Sequence, residues 1–426
     1  METVGELLGR CLRAGGVTRV FGDPVPGLTQ VEAGDAETAR LLADCDGRLG
    51  PGPGCALVAG TLRLSSRPGA RLEPVKVSTA DDVPVAIAAA AGPAAIGGAA
   101  AEVHLELDLD APAPDVDPVT LRPERPGRGP LEPVAGTVVV LAGPGVVRAG
   151  AIDGLRAFAS AAGVGVVNTW GAKGVFPWDS PHHMGTAGLQ EHDFDLLGFG
   201  DAALIVATGI DPDESSPERF RLAPVVAVAP EQLSAGLALY LRAPETAIPS
   251  NLLYERLAAV AQPGYVADKV PLHPARAVAD VRAALPPGGV VAAEPGPAGL
   301  WVARTFPTTE PSSVVVPATA APGAAAAIAL AAALRGHPAI AVVSEPVDDA
   351  TRAVTALAVR LGLGFVLEVW GLFGGLSRVE DHSAALESAF RAPSVTEVAV
   401  PVDAGDVRFL VEAAGAVVAW GGLSAG

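Results

Sequence analysis

The chain reads as α/β, with three doubly wound domains in series, and three observations predict this. Its 426 residues are too many for one ordinary core. Half of them are hydrophobic and only 18% are charged, which suits parallel strands buried on both faces. Unbroken apolar runs alternate with helical stretches from end to end, the pattern of βαβ units. In such folds the strand-to-helix turns are the places to look for ligands.

The first block spans residues 1–112. "VGELLGRCLRAGG" has apolar residues at helical spacing (Val4, Leu7, Leu8, Cys11, Leu12) and ends at a Gly-Gly stop. "VTRVFG" predicts a short strand. "DAETARLLADCDGRLG" predicts a helix with acids in its first turn, where the helix dipole favours them. "GCALVAG" predicts a second strand, "ADDVPVAIAAAAG" a second helix, and the alternating "EVHLELDLD" a third strand. Residues 113–136 are rich in Pro and charge and have no periodicity, so they read as a linker.

The second block spans 137–265. "TVVVLAGPGVVRAGAIDGLRAFASAAGVGVVNT" is strand, glycine turn, helix and strand. "ALIVATG" and "PVVAVAP" predict two more strands. The third block spans 266–426. "HPARAVADVRAALPPGG" predicts a helix opened by Pro274. "VVAAEPG", "AIAVVSEP", "FVLEVWG" and "VTEVAVPVD" predict strands, and "AAPGAAAAIALAAALRG" a small-residue helix. The tail, "DVRFLVEAAGAVVAWGG", fits a helix or a strand.

Composition excludes several functions. A net charge of −18 opposes nucleic-acid binding, which needs cations to displace counterions from phosphates, and opposes anionic membrane surfaces. Cys11, Cys45 and Cys55 are odd in number and lack C-x-x-C spacing, so neither a disulfide framework nor a zinc site is expected. The longest alanine-rich run is shorter than the ~20 residues of a membrane span. With no leader pattern at the N-terminus, the expected location is the cytoplasm.

The order of these blocks resembles the thiamine diphosphate (ThDP) enzymes of the acetolactate synthase and benzoylformate decarboxylase type. "VGELLGRCLRAGGVTRVFGDPVPGL" and "ADCDGRLGPGPGCALV" look like the pyrimidine-binding domain. "VVVLAGPGVVRAGA" with "NTWGAKGVFPWDSPHHMG" looks like the middle, Rossmann-like domain, and "VVAAEPGPAGLWVARTF" like the diphosphate-binding domain. The resemblance implies ThDP and Mg²⁺, with a Glu activating the cofactor's pyrimidine. It places that Glu at Ala36, with Glu37 one residue later, about 100° around a helix. Helical material that follows the second strand in the family is missing here.

The family's diphosphate motif opens Gly-Asp-Gly and ends on an Asn of the next strand. Its glycines admit the diphosphate, and its Asp and Asn hold Mg²⁺ through oxygen. In this chain those positions fall on Ser344, Glu345 and Pro346, and on Trp370 or Gly371. Pro346 has no N–H and cannot take positive φ. Glu294 ends a strand where the family borders its cofactor. Asp348 and Asp349 suit the start of a helix better than a metal.

The resulting expectation is a homologue without cofactor, acting as a structural, assembly or regulatory subunit. It would form a homo-oligomer or assemble with a paralogue, because the alanine-rich stretch "AAPGAAAAIALAAAL" (320–334) needs burial and such helices pack between subunits in this family. Trp370 would block the old site. The rival expectation is a divergent ThDP- and Mg²⁺-dependent decarboxylase or carboligase on 2-oxo acids such as pyruvate. There Glu37 would be catalytic, and Glu345 with Asp348 would hold the metal. FAD in the middle domain is not expected, since "GPGVVR" lacks the third glycine of a dinucleotide turn. The group His182, His183, His192 and Asp193 fits no metal-ligand spacing, and "EDHSA" (380–384) reads as an exposed turn.

Overall fold

A computed structural model describes residues 2–50, 52–67, 73–96 (backbone only over 93–96), 100–119, 131–241, 251–371, 374–405 and 407–422. Its strands form three sheets. The first holds β1 (Arg19–Gly22), β2 (Thr29–Val31), β3 (Gly54–Val58), β4 (Thr61–Ser65), β5 (Val75–Val77) and β6 (Ala100–Leu105), in the order β2-β1-β3-β4-β6-β5. The second holds β7 (Val138–Ala142), β8 (Gly165–Thr169), β9 (His183–Ala187), β10 (Leu204–Thr208) and β11 (Val225–Ala227), in the order β11-β10-β7-β8-β9. The third holds β12 (Val290–Ala293), β13 (Val314–Val315), β14 (Ala339–Ser344), β15 (Val366–Gly371) and β16 (Thr396–Pro401), in the order β13-β12-β14-β15-β16.

The second and third sheets pair in parallel throughout. Their central strands are buried on both faces, which is why they read as continuous apolar runs. The first sheet departs from this pattern. β3 turns back through Ala59 and Gly60 into β4, and β4 pairs antiparallel with both β3 and β6. Ala59 (φ 48°) and Gly60 (φ 74°) both take positive φ, as a two-residue hairpin of this hand requires. A hairpin thus joins the two central strands of this sheet.

The alanine-rich helix Ala324–Leu334 does not need a partner subunit to be covered. Residues 324–332 are buried within the single chain, in a core shared with β12, β14 and the first-domain helix Ala36–Leu49. Small side chains let the two helices approach closely, and this contact joins the first domain to the third.

The segment read as a linker begins as an anchored strap. Ala111 O accepts from Val4 N, Ala113 N donates to Glu2 O, and Val116 O accepts from Arg10. Residues 120–130 of it lie outside the described residues. The tail forms the helix Arg408–Ala414, which packs with the helices Leu252–Tyr265 and Pro274–Ala284 against the third sheet. No helix among the described residues is long and apolar enough to cross a membrane. All three cysteines are free and buried.

Candidate functional site

The parallel register of the third sheet brings the ends of β12, β14 and β15 to one edge. Ser344 lies opposite Trp370, and Ala293 opposite Val342. Glu294, Ser344, Glu345 and Gly371 therefore meet there, as the sequence placed them. The edge is closed by the chain's own groups. Ser344 N donates to Glu294 Oε1 at 2.5 Å, and Glu345 N donates to Trp370 O at 2.9 Å. The Glu345 carboxylate lies over Gly371, where any Cβ would collide with it. Burial raises the pKa of Glu294 above the usual carboxylate range. The bonds from Ser344 work against that shift, and the negative charge of Asp348 adds to it.

Asp348 ties two helices at this edge. Its Oδ1 accepts from Thr351 N at 2.5 Å and so caps the helix Asp349–Arg360. Its Oδ2 accepts from Gly323 N at 3.2 Å, at the start of Ala324–Leu334. Gly323 is needed here, with φ at 76° and Ala350 pressed against it. Asp348 thus places one carboxylate at the N-termini of both of these helices.

Two sequence expectations change. Trp370 does not stand over the turn. Side chains alternate along a strand, so Gly371 faces Glu345 while Trp370 points into the core. There its Nε1 donates to Glu368 Oε1 at 2.5 Å. Glu37 is an exposed acid in the first turn of Ala36–Leu49. The loop before that helix lies against Arg360, through Gly34. Arg360 ends the helix that Asp348 begins, and its 12 residues span about 18 Å. Within one chain, Glu37 and the Glu345–Asp348 turn are not brought together.

"EDHSA" is not an exposed turn. It begins the helix Glu380–Arg391, and His382 is fully buried between two carboxylates. Its Nδ1 lies 3.0 Å from Asp280 Oδ2 and its Nε2 3.5 Å from Glu368 Oε2. Arg276 completes the chain of contacts with a 2.8 Å bond to Asp280. Burial alone would lower the His382 pKa, but Glu368 and Asp280 outweigh it and raise it to about 9. This network sits beneath β15 and locks the strand to its helices. Glu368 was the overlooked signal, since a carboxylate inside an apolar strand must have a partner.

In the central domain, the turn Gly143-Pro144-Gly145 bonds to the loop after β10. Gly143 N donates to Thr208 O and Gly145 N to Gly209 O, both at 2.9 Å. A Cβ at either glycine would strike Gly209. The glycines thus serve loop-to-loop contact. The histidines disperse: His182 faces Val164 O, His183 faces the Tyr254 hydroxyl, and Asp193 binds Arg304. No group of three His, Cys, Asp or Glu able to hold a metal exists among the described residues.

Sequence reading passed over a second polar region. After β8, the turn Trp170–Ala172 delivers Lys173 into a cavity of about 90 Å³ between the second and third domains. Asn168, His183, Tyr254, Tyr265 and Arg304 also line it. Lys173 is 8% exposed, and burial first, then the Arg304 charge, lowers its pKa to about 7. His183 is lowered to about 4 by burial and by Lys173.

Residues 134–236 match the family model described as thiamine pyrophosphate enzyme, central domain. No curated protein matches the sequence. Among solved structures, a provisionally assigned thiamin diphosphate-dependent enzyme from Mycobacterium smegmatis superposes with a TM-score of 0.65. It is 17% identical, over 94% of this chain and 99% of that one. The chain thus has a central domain similar to that of thiamine pyrophosphate enzymes, inside a three-domain α/β fold that it shares with that structure from end to end.

Proposed function

We propose that this chain is a non-catalytic homologue of ThDP enzymes, of the acetolactate synthase type, that acts as an assembly or regulatory subunit. One observation carries the reading: Glu294 and Asp348 occupy the backbone N–H groups with which the edge of the third sheet would hold a diphosphate. A diphosphate here would meet three carboxylates, those of Glu294, Glu345 and Asp348, and no free donor at Ser344, Gly323 or Thr351. Mg²⁺ fits no better, because these carboxylates do not form a group of three His, Cys, Asp or Glu able to hold a metal among the described residues. The residues present do not fit the family's cofactor.

What remains is a three-domain scaffold with a tightly joined first and third domain. Such a scaffold suits association with further copies of itself or with an active paralogue. Exposed Val75 and Val85 in the first domain, at 63% and 58%, are candidate contacts.

Turnover separates this from the enzyme reading. With ThDP, Mg²⁺ and pyruvate supplied, the protein is expected to release no CO2 above a protein-free control. Release that disappears in Glu37→Gln would overturn the proposal and establish the 2-oxo acid enzyme in its place.

A further inference from the structure

We propose that the cavity between β8 and the third domain is a binding site for a short-chain monocarboxylate, held by Lys173 and oriented by Asn168. This cavity is distinct from the closed edge of the third sheet, and the inference does not depend on the absence of ThDP.

Three observations converge. Lys173 is more than nine-tenths buried and lines the cavity, and its Nζ makes no hydrogen bond or ion pair among the described residues. No Asp or Glu is among the residues that line the cavity. A buried ammonium without an anion is costly, so the native chain either loses the proton or takes an anion. The nearest other cation cannot serve in its place. Arg304 spends its guanidinium on Asp193, Gln190 Oε1 and Thr186 O. One positive charge is left to answer, which selects a monoanion over a phosphate.

The second observation is Asn168. It is fully buried, and its Nδ2 donates to Thr169 O at 2.9 Å and to Thr186 Oγ1 at 3.1 Å. A carbonyl only accepts, so the amide orientation is fixed and Oδ1 is the free end. That Oδ1 has no partner. Asn168 lines the same cavity as a residue, and its unanswered oxygen favours a ligand that brings a donor, such as the hydroxyl of a 2-hydroxy acid. Phe176, Phe306 and Pro307 supply apolar wall for a short carbon chain.

Size is the third constraint. At roughly 10–15 Å³ per water on the same measure, the cavity holds about six to nine waters, or an acid of a few heavy atoms. Acetate, glycolate and lactate, with four to six heavy atoms each, fit this limit, and acids of ten or more heavy atoms exceed it.

The other titratable groups facing Lys173 are His183 from β9, Tyr254 and Tyr265 from the helix Leu252–Tyr265, and Arg304. Burial raises both tyrosines, Tyr265 to about 12, so neither supplies a negative charge near neutral pH. His183 is neutral there as well. Carboxylate binding is therefore coupled to Lys173 alone and takes up a proton above pH 7.

The test uses calorimetric titration of the whole chain with sodium acetate and with sodium glycolate at pH 8. Each is run in two buffers of different ionisation enthalpy, with decanoate as the control. Acetate and glycolate should both bind with proton uptake, and glycolate about fivefold tighter for its one extra hydrogen bond. Decanoate, with twelve heavy atoms, should not bind. Lys173→Met should weaken acetate by about 30-fold or more. No binding of acetate to the wild-type chain overturns the proposal, as does equal binding to wild type and a folded Lys173→Met. Equal affinity for acetate and glycolate overturns the part assigned to Asn168.

Discussion

Two polar regions of this molecule solve the same electrostatic problem in opposite ways. At the edge of the third sheet, backbone N–H groups that open toward solvent are answered from within by Glu294 and Asp348. In the cavity beside β8, a buried lysine and a buried amide oxygen are left unanswered. A region complete in itself has no electrostatic reason to hold a ligand, whereas an incomplete one does. The position that fold analogy marks as the site is the complete one. The incomplete one lies where the sequence showed only an apolar strand followed by a turn.

The contrast predicts opposite signs on removing charge. The largest effect belongs to the network beneath the closed edge. Glu368→Ala should cost about 3–5 kcal/mol, because it leaves His382 and the Trp370 indole buried without their acceptor. The same network sets a pH dependence. The His382 pKa rises from 6.5 to about 9 on folding, so its contribution is complete below pH 6.5 and is lost as pH climbs through 9. A melting temperature that falls across that window in wild type and stays level in His382→Asn would confirm the assignment. Equal slopes in the two proteins would remove it.

Lys173→Met should act the other way and stabilise the chain, by about 1–4 kcal/mol, since it removes an uncompensated charge from the interior. Its folded pKa of about 7 lies below the ordinary 10.5. The unfolded chain therefore binds more protons between those values, and the wild-type penalty is full below pH 7 and fades as pH approaches 10.5. Denaturant melts of both proteins at pH 6 and pH 10 would show the gain shrinking with pH. A variant less stable than wild type at pH 6 would mean that Lys173 already has a partner, and the contrast between the regions would collapse.

Asp348→Ala is smaller, at about 1–2 kcal/mol for a lost cap. It also sharpens the comparison, because it frees Thr351 N and Gly323 N. Inorganic phosphate should raise the melting temperature of this variant and leave wild type unchanged. Phosphate stabilising both proteins alike would mean that the carboxylates do not close the edge.

Much of this architecture could be read from sequence where burial dictates the residues. The runs "TVVVLA", "ALIVAT" and "AIAVVS" are strands because parallel strands buried on both faces tolerate little else. The turn Ser344-Glu345-Pro346 was placed correctly at a strand end because strand, turn and helix follow one another locally. What could not be read depended on partners distant in the chain. The β3–β4 hairpin was missed because its turn puts Ala59 at positive φ, where no propensity would place it. His382 reads as a surface residue until Asp280 and Glu368 are brought to it from 102 and 14 positions away. The burial of Ala324–Leu334 was foreseen, but the cover comes from Ala36–Leu49 of the same chain. Lys173 was invisible for the reverse reason. A lysine after a strand ordinarily reaches water, and only the third domain folding over it makes its missing partner significant.

We propose that Glu294, Glu345 and Asp348 leave no place for a diphosphate at this edge. Calorimetric titration of the purified protein with ThDP in the presence of Mg²⁺, repeated with EDTA, tests it directly. The account predicts no binding heat and no change in melting temperature under either condition. Metal-dependent binding at micromolar ThDP would contradict it, because Glu294, Glu345 and Asp348 would then have to give up the positions that close the edge.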